Sequence, residues 1–157
     1  MSARTAAGLA AALLVAQALA IAPVAAATYR LDDSASLPRE SSAMLGWRSG
    51  MPPRDGDDTL QGTIGVALRL DVGAWRSRAG RIYLVLPEQA TPGVRLNWRT
   101  QGRLLPGQAR PGQRVLVFEG SIATPYLEDR LELDIEASGR ELLGTQPLSF
   151  YFEIDVD

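Results

Sequence analysis

Three residue types are missing from the chain of 157 residues: cysteine, histidine and lysine. Without Cys or His, the chain cannot build a Cys/His zinc site, a thiol nucleophile, a disulfide or a histidine-based catalytic triad. Without Lys, it has no Schiff base and no phosphate-loop lysine. All 16 basic residues are arginine. Aromatic residues are scarce at 6%. Carboxylates, hydroxyls, guanidinium groups and a few aromatic faces remain for chemistry. That inventory names no activated nucleophile and no general base, so the expectation is a protein without catalytic activity and without a cofactor.

The first 27 residues read as an export signal. Arg4 supplies a positive amino end, and an Ala-, Leu- and Val-rich run follows from Ala6 to Ile21. Pro23 breaks any helix, and Ala25-Ala26-Ala27 places small residues where a signal peptidase reads them. Cleavage is expected after Ala27; the rival reading is an uncleaved membrane anchor. No Cys follows the run to carry a lipid, and no twin-arginine pair precedes it. Cleavage leaves one domain, Thr28–Asp157, destined for the periplasm or the cell surface, with no stable membrane span. That compartment permits disulfides, yet the chain has none, so packing and strand pairing must carry its stability.

The rest of the chain alternates between apolar and polar residues. Leu60, Gly62, Ile64, Val66, Leu68, Leu70 and Val72 oppose Gln61, Thr63, Gly65, Ala67, Arg69 and Asp71. Val94, Leu96 and Trp98 oppose Arg95, Asn97 and Arg99. Leu131, Leu133, Ile135 and Ala137 oppose Arg130, Glu132, Asp134 and Glu136. Leu148, Phe150, Phe152, Ile154 and Val156 form another such row. A period of two predicts strands with one face buried. Ile82–Leu86 and Val115–Phe118 are apolar on both faces and predict central or doubly covered strands. Tyr29–Leu31 and Ala43–Trp47 are weaker candidates, suited to edges.

Turn pairs separate these runs, among them Pro106-Gly107, Pro111-Gly112 and Ser138-Gly139. The expected fold is all-β, an antiparallel β-sandwich. An immunoglobulin-like Greek key is the first expectation and a jelly roll the alternative. A small outer-membrane barrel ranks third, because it needs aromatic girdles that ten aromatic residues supply poorly.

The formal charge of −2 conceals a division. Thr59–Phe118 carries nine arginines against Asp71 and Glu88, while Glu119–Asp157 carries ten acids against Arg130 and Arg140. A basic face for anionic partners is one reading. Cross-strand pairing of Arg69, Arg95 and Arg99 with Glu132, Asp134 and Glu136 is the preferred one. Nucleic acid is not an expected partner of an exported acidic domain; a protein or an envelope glycan is.

Several residues are candidates for such contacts. Trp75, Arg76, Arg78 and Arg81 could clamp a phosphate or carboxylate, and Trp47 could offer a stacking platform. The alternative for both tryptophans is to seal the ends of the sandwich. Trp98 belongs to a core row. Asp55, Asp57 and Asp58 surround a glycine and offer oxygen ligands for Ca²⁺, though without the twelve-residue loop pattern. Glu128 and Asp129 are adjacent carboxylates. On a strand they point to opposite sides and would flank one glycosidic bond only in a bend.

At the C-terminus, Gly144 is the fourteenth residue from the end and opens the run Leu148, Phe150, Phe152, Ile154, Val156. This pattern resembles the C-terminal strand of chaperone–usher pilus subunits. The resemblance implies an exported subunit with an incomplete immunoglobulin-like fold, completed by a neighbour's N-terminal strand. Tyr29, Leu31, Ala35 and Leu37 alternate in the N-terminal segment, with Asp33 interrupting the register. The penultimate residue is Val156, where that family carries an aromatic.

Overall fold

The computed structural model describes residues 27–38, 43–52, 56–91, 93–141 and 147–156. The export signal before Ala27, Asp55 and Gly144 lie outside them. Ten strands follow in order: β1 (Ala27–Arg30), β2 (Leu37–Pro38), β3 (Gly46–Trp47), β4 (Thr59–Asp71), β5 (Ala79–Leu86), β6 (Arg95–Thr100), β7 (Gly107–Ala109), β8 (Gln113–Ser121), β9 (Tyr126–Ser138) and β10 (Tyr151–Val156). One 3₁₀ turn, Gly73–Trp75, links β4 to β5.

The strands form two antiparallel sheets, a β-sandwich. The four-stranded sheet has the order β1-β10-β5-β8. The six-stranded sheet has the order β2-β4-β9-β6-β7, with β3 also on the outer side of β4. Setting aside the two-residue strands β2 and β3, eight remain. They pair first with last (β1·β10), second with seventh (β4·β9), third with sixth (β5·β8) and fourth with fifth (β6·β7). This nesting is one double-stranded ribbon rolled around a core, which is a jelly roll. The immunoglobulin-like order does not occur: there the last strand would not lie between the first and the third. Among the described residues both sheets have open ends, so these strands do not close into a barrel. Among the described residues no helix is long and apolar enough to cross a membrane.

The alternating rows supply the core. From β4 and β9, Leu68, Leu70, Leu127, Leu131, Leu133 and Ile135 point inward. They meet Ile82, Leu84 and Leu86 of β5 and Phe152, Ile154 and Val156 of β10. Each fully buried side chain of this size contributes about 1.5–3 kcal/mol relative to exposure. Trp98 is buried in the core row of β6, and its indole N–H donates to the Leu105 carbonyl at 3.0 Å. Opposite it in β7 stands Gly107, where a Cβ would lie 2.6 Å from the indole ring.

Two strand expectations are corrected. Val115–Phe118 lies in β8, an edge strand rather than a central one. Its double-sided apolarity comes from a bulge: Ile82 pairs with Phe118 and Tyr83 with Leu116, leaving Val117 as the extra residue. Val117 and Phe118 therefore both turn inward, which alternation would forbid. The C-terminal strand begins at Tyr151, not at Leu148. Leu148 and Phe150 pack against the core from an irregular segment.

Candidate functional site

The outer faces of the two sheets hold most of the charge. On the six-stranded sheet, register places Arg95 opposite Glu136, Arg99 opposite Glu132 and Arg69 opposite Glu128. The ion pairs follow that register: Arg95–Glu136 at 3.1 Å, Arg99–Glu132 at 2.6 Å and Arg69–Glu128 at 3.5 Å. Arg99 also reaches Asp134 at 3.1 Å, and Arg48 joins Glu136 at 2.6 Å. Arg69 additionally lies 4.0 Å over the Tyr126 ring. The basic and acidic blocks of the sequence thus meet across strands, as cross-strand pairing predicts for Arg95 and Arg99. Arg69 pairs with Glu128 instead of the acids expected for it.

One position on this face breaks the pattern. Arg130 stands opposite Ala67, which offers no charge. It lines a shallow depression of about 570 Å³ whose apolar side is formed by Ala35, Leu37 and Ala67 and whose polar side includes Gln101 and Glu128. Leu37 is 68% exposed there. The depression exists because β2 covers only Val66 and Ala67 of β4, and because β6 ends at Thr100.

Asp129 fixes the rim. It occupies an inward position of β9, between Leu127 and Leu131, and is 8% exposed. Its carboxylate accepts backbone N–H bonds from Gly102 at 2.7 Å, Leu104 at 2.8 Å, Gln101 at 3.2 Å and Arg130 at 2.6 Å. A Cβ on Gly102 would lie 2.8 Å from this carboxylate, so the turn needs glycine there. Glu128 points outward and Asp129 inward, so the two carboxylates lie on opposite sides of β9. The sequence carried a signal for Asp129, a charge in an apolar row. It carried none for the Arg130 depression, which depends on where β2 docks.

The four-stranded sheet presents a different face. Arg114 of β8 reaches across β5 to β10, donating to Glu153 at 2.8 Å and Asp155 at 2.6 Å. On the way its guanidinium lies 3.5 Å from the centroid of the Tyr83 ring. Thr28 of β1 donates to Asp155 at 2.6 Å, and Arg30 lies 4.3 Å over Tyr151. The hydrogen bonds from Arg114 and Thr28 outweigh partial burial and hold the Asp155 carboxyl below its ordinary range.

The remaining candidates fall at two distant ends. Trp75 and Arg76 follow the end of β4, whereas Trp47 pairs with Leu60 near its start. The eleven residue steps from Leu60 to Asp71 span roughly 36 Å, so these tryptophans do not share a site. Trp75 is half-buried, packs on the core and meets the Tyr29 ring at 5.5 Å between centroids. Trp47 covers Gly139, where a Cβ would come within 2.5 Å of the ring. Both therefore seal ends of the sandwich. Arg76 and Arg78 are exposed beside Ser77, which adopts the left-handed region at φ 65°. Arg81 lies on the outer face of β5 and pairs with Glu119 at 2.9 Å.

Asp57 accepts both the backbone N–H and the hydroxyl of Thr59, and pairs with Arg48 at 3.7 Å. Asp58 accepts the Ser138 hydroxyl at 2.8 Å and the Arg140 N–H at 3.3 Å. The bonds from Thr59 and Ser138 respectively hold both carboxyls low. Among the described residues, no three Asp, Glu, His or Cys gather as metal ligands.

The C-terminal run has its own arrangement. Phe152, Ile154 and Val156 are buried, and β10 is paired on both sides, by β5 and by the chain's own β1. Among the described residues no strand is missing beside β10, whereas the pilus-subunit resemblance implies an incomplete fold. Comparison with family models, curated proteins and solved structures found no match to this chain.

Proposed function

We propose that this chain is an exported, non-catalytic protein of the cell envelope that holds a protein partner or an envelope glycan on the outer face of its six-stranded sheet. The observation that carries this reading is the depression at Ala67 and Arg130, open to solvent on a face otherwise occupied by ion pairs. The leader Arg4–Ala27 supports export, to the periplasm or the cell surface. The stock of side chains, without Cys, His or Lys, supports recognition over covalent chemistry.

Ala67→Trp tests the role of the face. The residue points outward, so the fold should survive, with unchanged circular dichroism. Wild-type protein immobilised on resin should retain envelope components that the variant does not. Equal retention by both proteins would refute the reading. Sequencing the exported protein should find Thr28 at its amino end.

A second reading, assembly through strand exchange, is supported by β1. All four of its residues are exposed, and it pairs with β10 alone. Leu31, 2% exposed, follows it as a buried anchor, with its N–H donating to the Phe152 carbonyl at 2.9 Å. A neighbouring copy could supply the same strand. Concentrated protein refolded from denaturant should then form discrete multimers; only monomer at every concentration refutes it.

A further inference from the structure

We infer that the depression beside Arg130 takes a carboxylated saccharide, with the Arg130 guanidinium gripping the carboxylate. This rests on the binding role proposed above and adds the chemical class of the ligand.

The charge arrangement comes first. Arg69, Arg95 and Arg99 each face a glutamate across the ladder and pair with it. Arg130 faces Ala67, and among the described residues its side chain has no ion pair. Its neighbours along the strand, Glu128 and Glu132, are engaged by Arg69 and Arg99. An exposed guanidinium thus stands at the depression with no ion pair among the described residues. Its planar fork matches a carboxylate in two parallel hydrogen bonds.

The surroundings narrow the ligand further. Glu128 and Asp129 line the depression together with Arg69 and Arg130, and Arg69 is already paired with Glu128, so a doubly charged phosphate would meet two carboxylates while, among the described residues, only the Arg130 guanidinium has no ion pair. A single negative charge suits the site better. Ala35, Leu37 and Ala67 offer small apolar surface to the C–H face of a sugar ring. The Gln101 amide supplies donors and an acceptor for hydroxyls, and Glu128 supplies acceptors. A volume of about 570 Å³ falls within the range of small-ligand clefts.

Isotope-labelled protein titrated with trigalacturonate, maltotriose and glucose 1-phosphate tests this by NMR. Trigalacturonate should shift the Ala35 and Ala67 methyl signals saturably and bind more tightly than the other two probes. Arg130→Gln, an outward substitution, should weaken that binding by about tenfold. Arg76→Gln should leave it unchanged. Undiminished trigalacturonate binding by Arg130→Gln overturns the inference, as does tighter binding of glucose 1-phosphate. Maltotriose binding at the same methyls, as tightly as trigalacturonate, removes the acidic ligand class but leaves the binding role standing. No methyl shift with any probe also overturns the inference; the binding role then falls only if Ala67→Trp retains envelope components as well as wild type does.

Discussion

The two outer faces of this sandwich use the same residue types in different ways. On the four-stranded sheet, one arginine, Arg114, ties three strands together through Glu153, Asp155 and the Tyr83 ring, and its side chain is only 33% exposed. On the six-stranded sheet the pairs are mostly local, one arginine to one glutamate across a ladder, and Arg99 is 65% exposed. The first face is interlocked and partly dry. The second is wet, and among the described residues one of its cations, Arg130, has no ion pair. Charge pairs on a solvated sheet face contribute little to stability, so the second face can exchange its contacts at little cost to the fold.

The largest effect should come from the support beneath the wet face. Asp129→Ala removes an acceptor shared by four backbone N–H groups, three of them in the turn after β6. Buried donors left unsatisfied cost about 1–3 kcal/mol apiece, although water will reach some of this turn. A total loss of about 2–4 kcal/mol in urea unfolding is expected. A loss below about 1 kcal/mol would mean the turn holds itself.

Next in size is the hub of the dry face. Arg114→Ala should cost about 1–2 kcal/mol, from two ion pairs and a cation–π contact. The same hub predicts a pH dependence. Asp155 has a folded-state carboxyl held below its unfolded value by Arg114 and Thr28. Its contribution is therefore fully present above the unfolded value near pH 4 and is lost as pH falls through the folded value. The wild-type minus Arg114→Ala difference in unfolding free energy should be constant from about pH 5 to 7 and shrink below about pH 4. A difference that stays constant down to pH 2 would remove Asp155 from the hub.

Much of this architecture was legible in the sequence, because a period of two dictates which residues can share a face. The rows through Leu68, Leu133 and Ile154 predict the core, and the Arg and Glu rows predict ladder pairs whatever the strand order. Strand order itself was not legible. Both the immunoglobulin-like order and the jelly roll satisfy the same local alternation, and only non-local pairing separates them. Val117 concealed an edge strand, since a bulge mimics the double apolarity of a central one. The candidate loops at Trp75 and Asp57 were legible as turns, but the distant groups that engage them, Tyr29 and Arg48, depend on the three-dimensional path. The Arg130 depression is defined by what stands opposite an arginine, and that is set by register.

The smallest effect completes the contrast between the faces. Arg99→Gln removes pairs with Glu132 and Asp134 on the wet face. Both partners keep solvent access, so stability should fall by no more than about 0.5 kcal/mol at low salt. In about 1 M salt, where the screening length is about 3 Å, the loss should vanish. The Arg114→Ala loss should persist there, because its pairs are partly shielded from solvent and part of its contact is with an aromatic ring. Double-mutant cycles for Arg99–Glu132 and Arg114–Asp155, each measured by urea unfolding at both salt concentrations, make the comparison direct. Equal coupling energies with equal salt dependence would show the two faces to be alike, and the division of labour between them would fall.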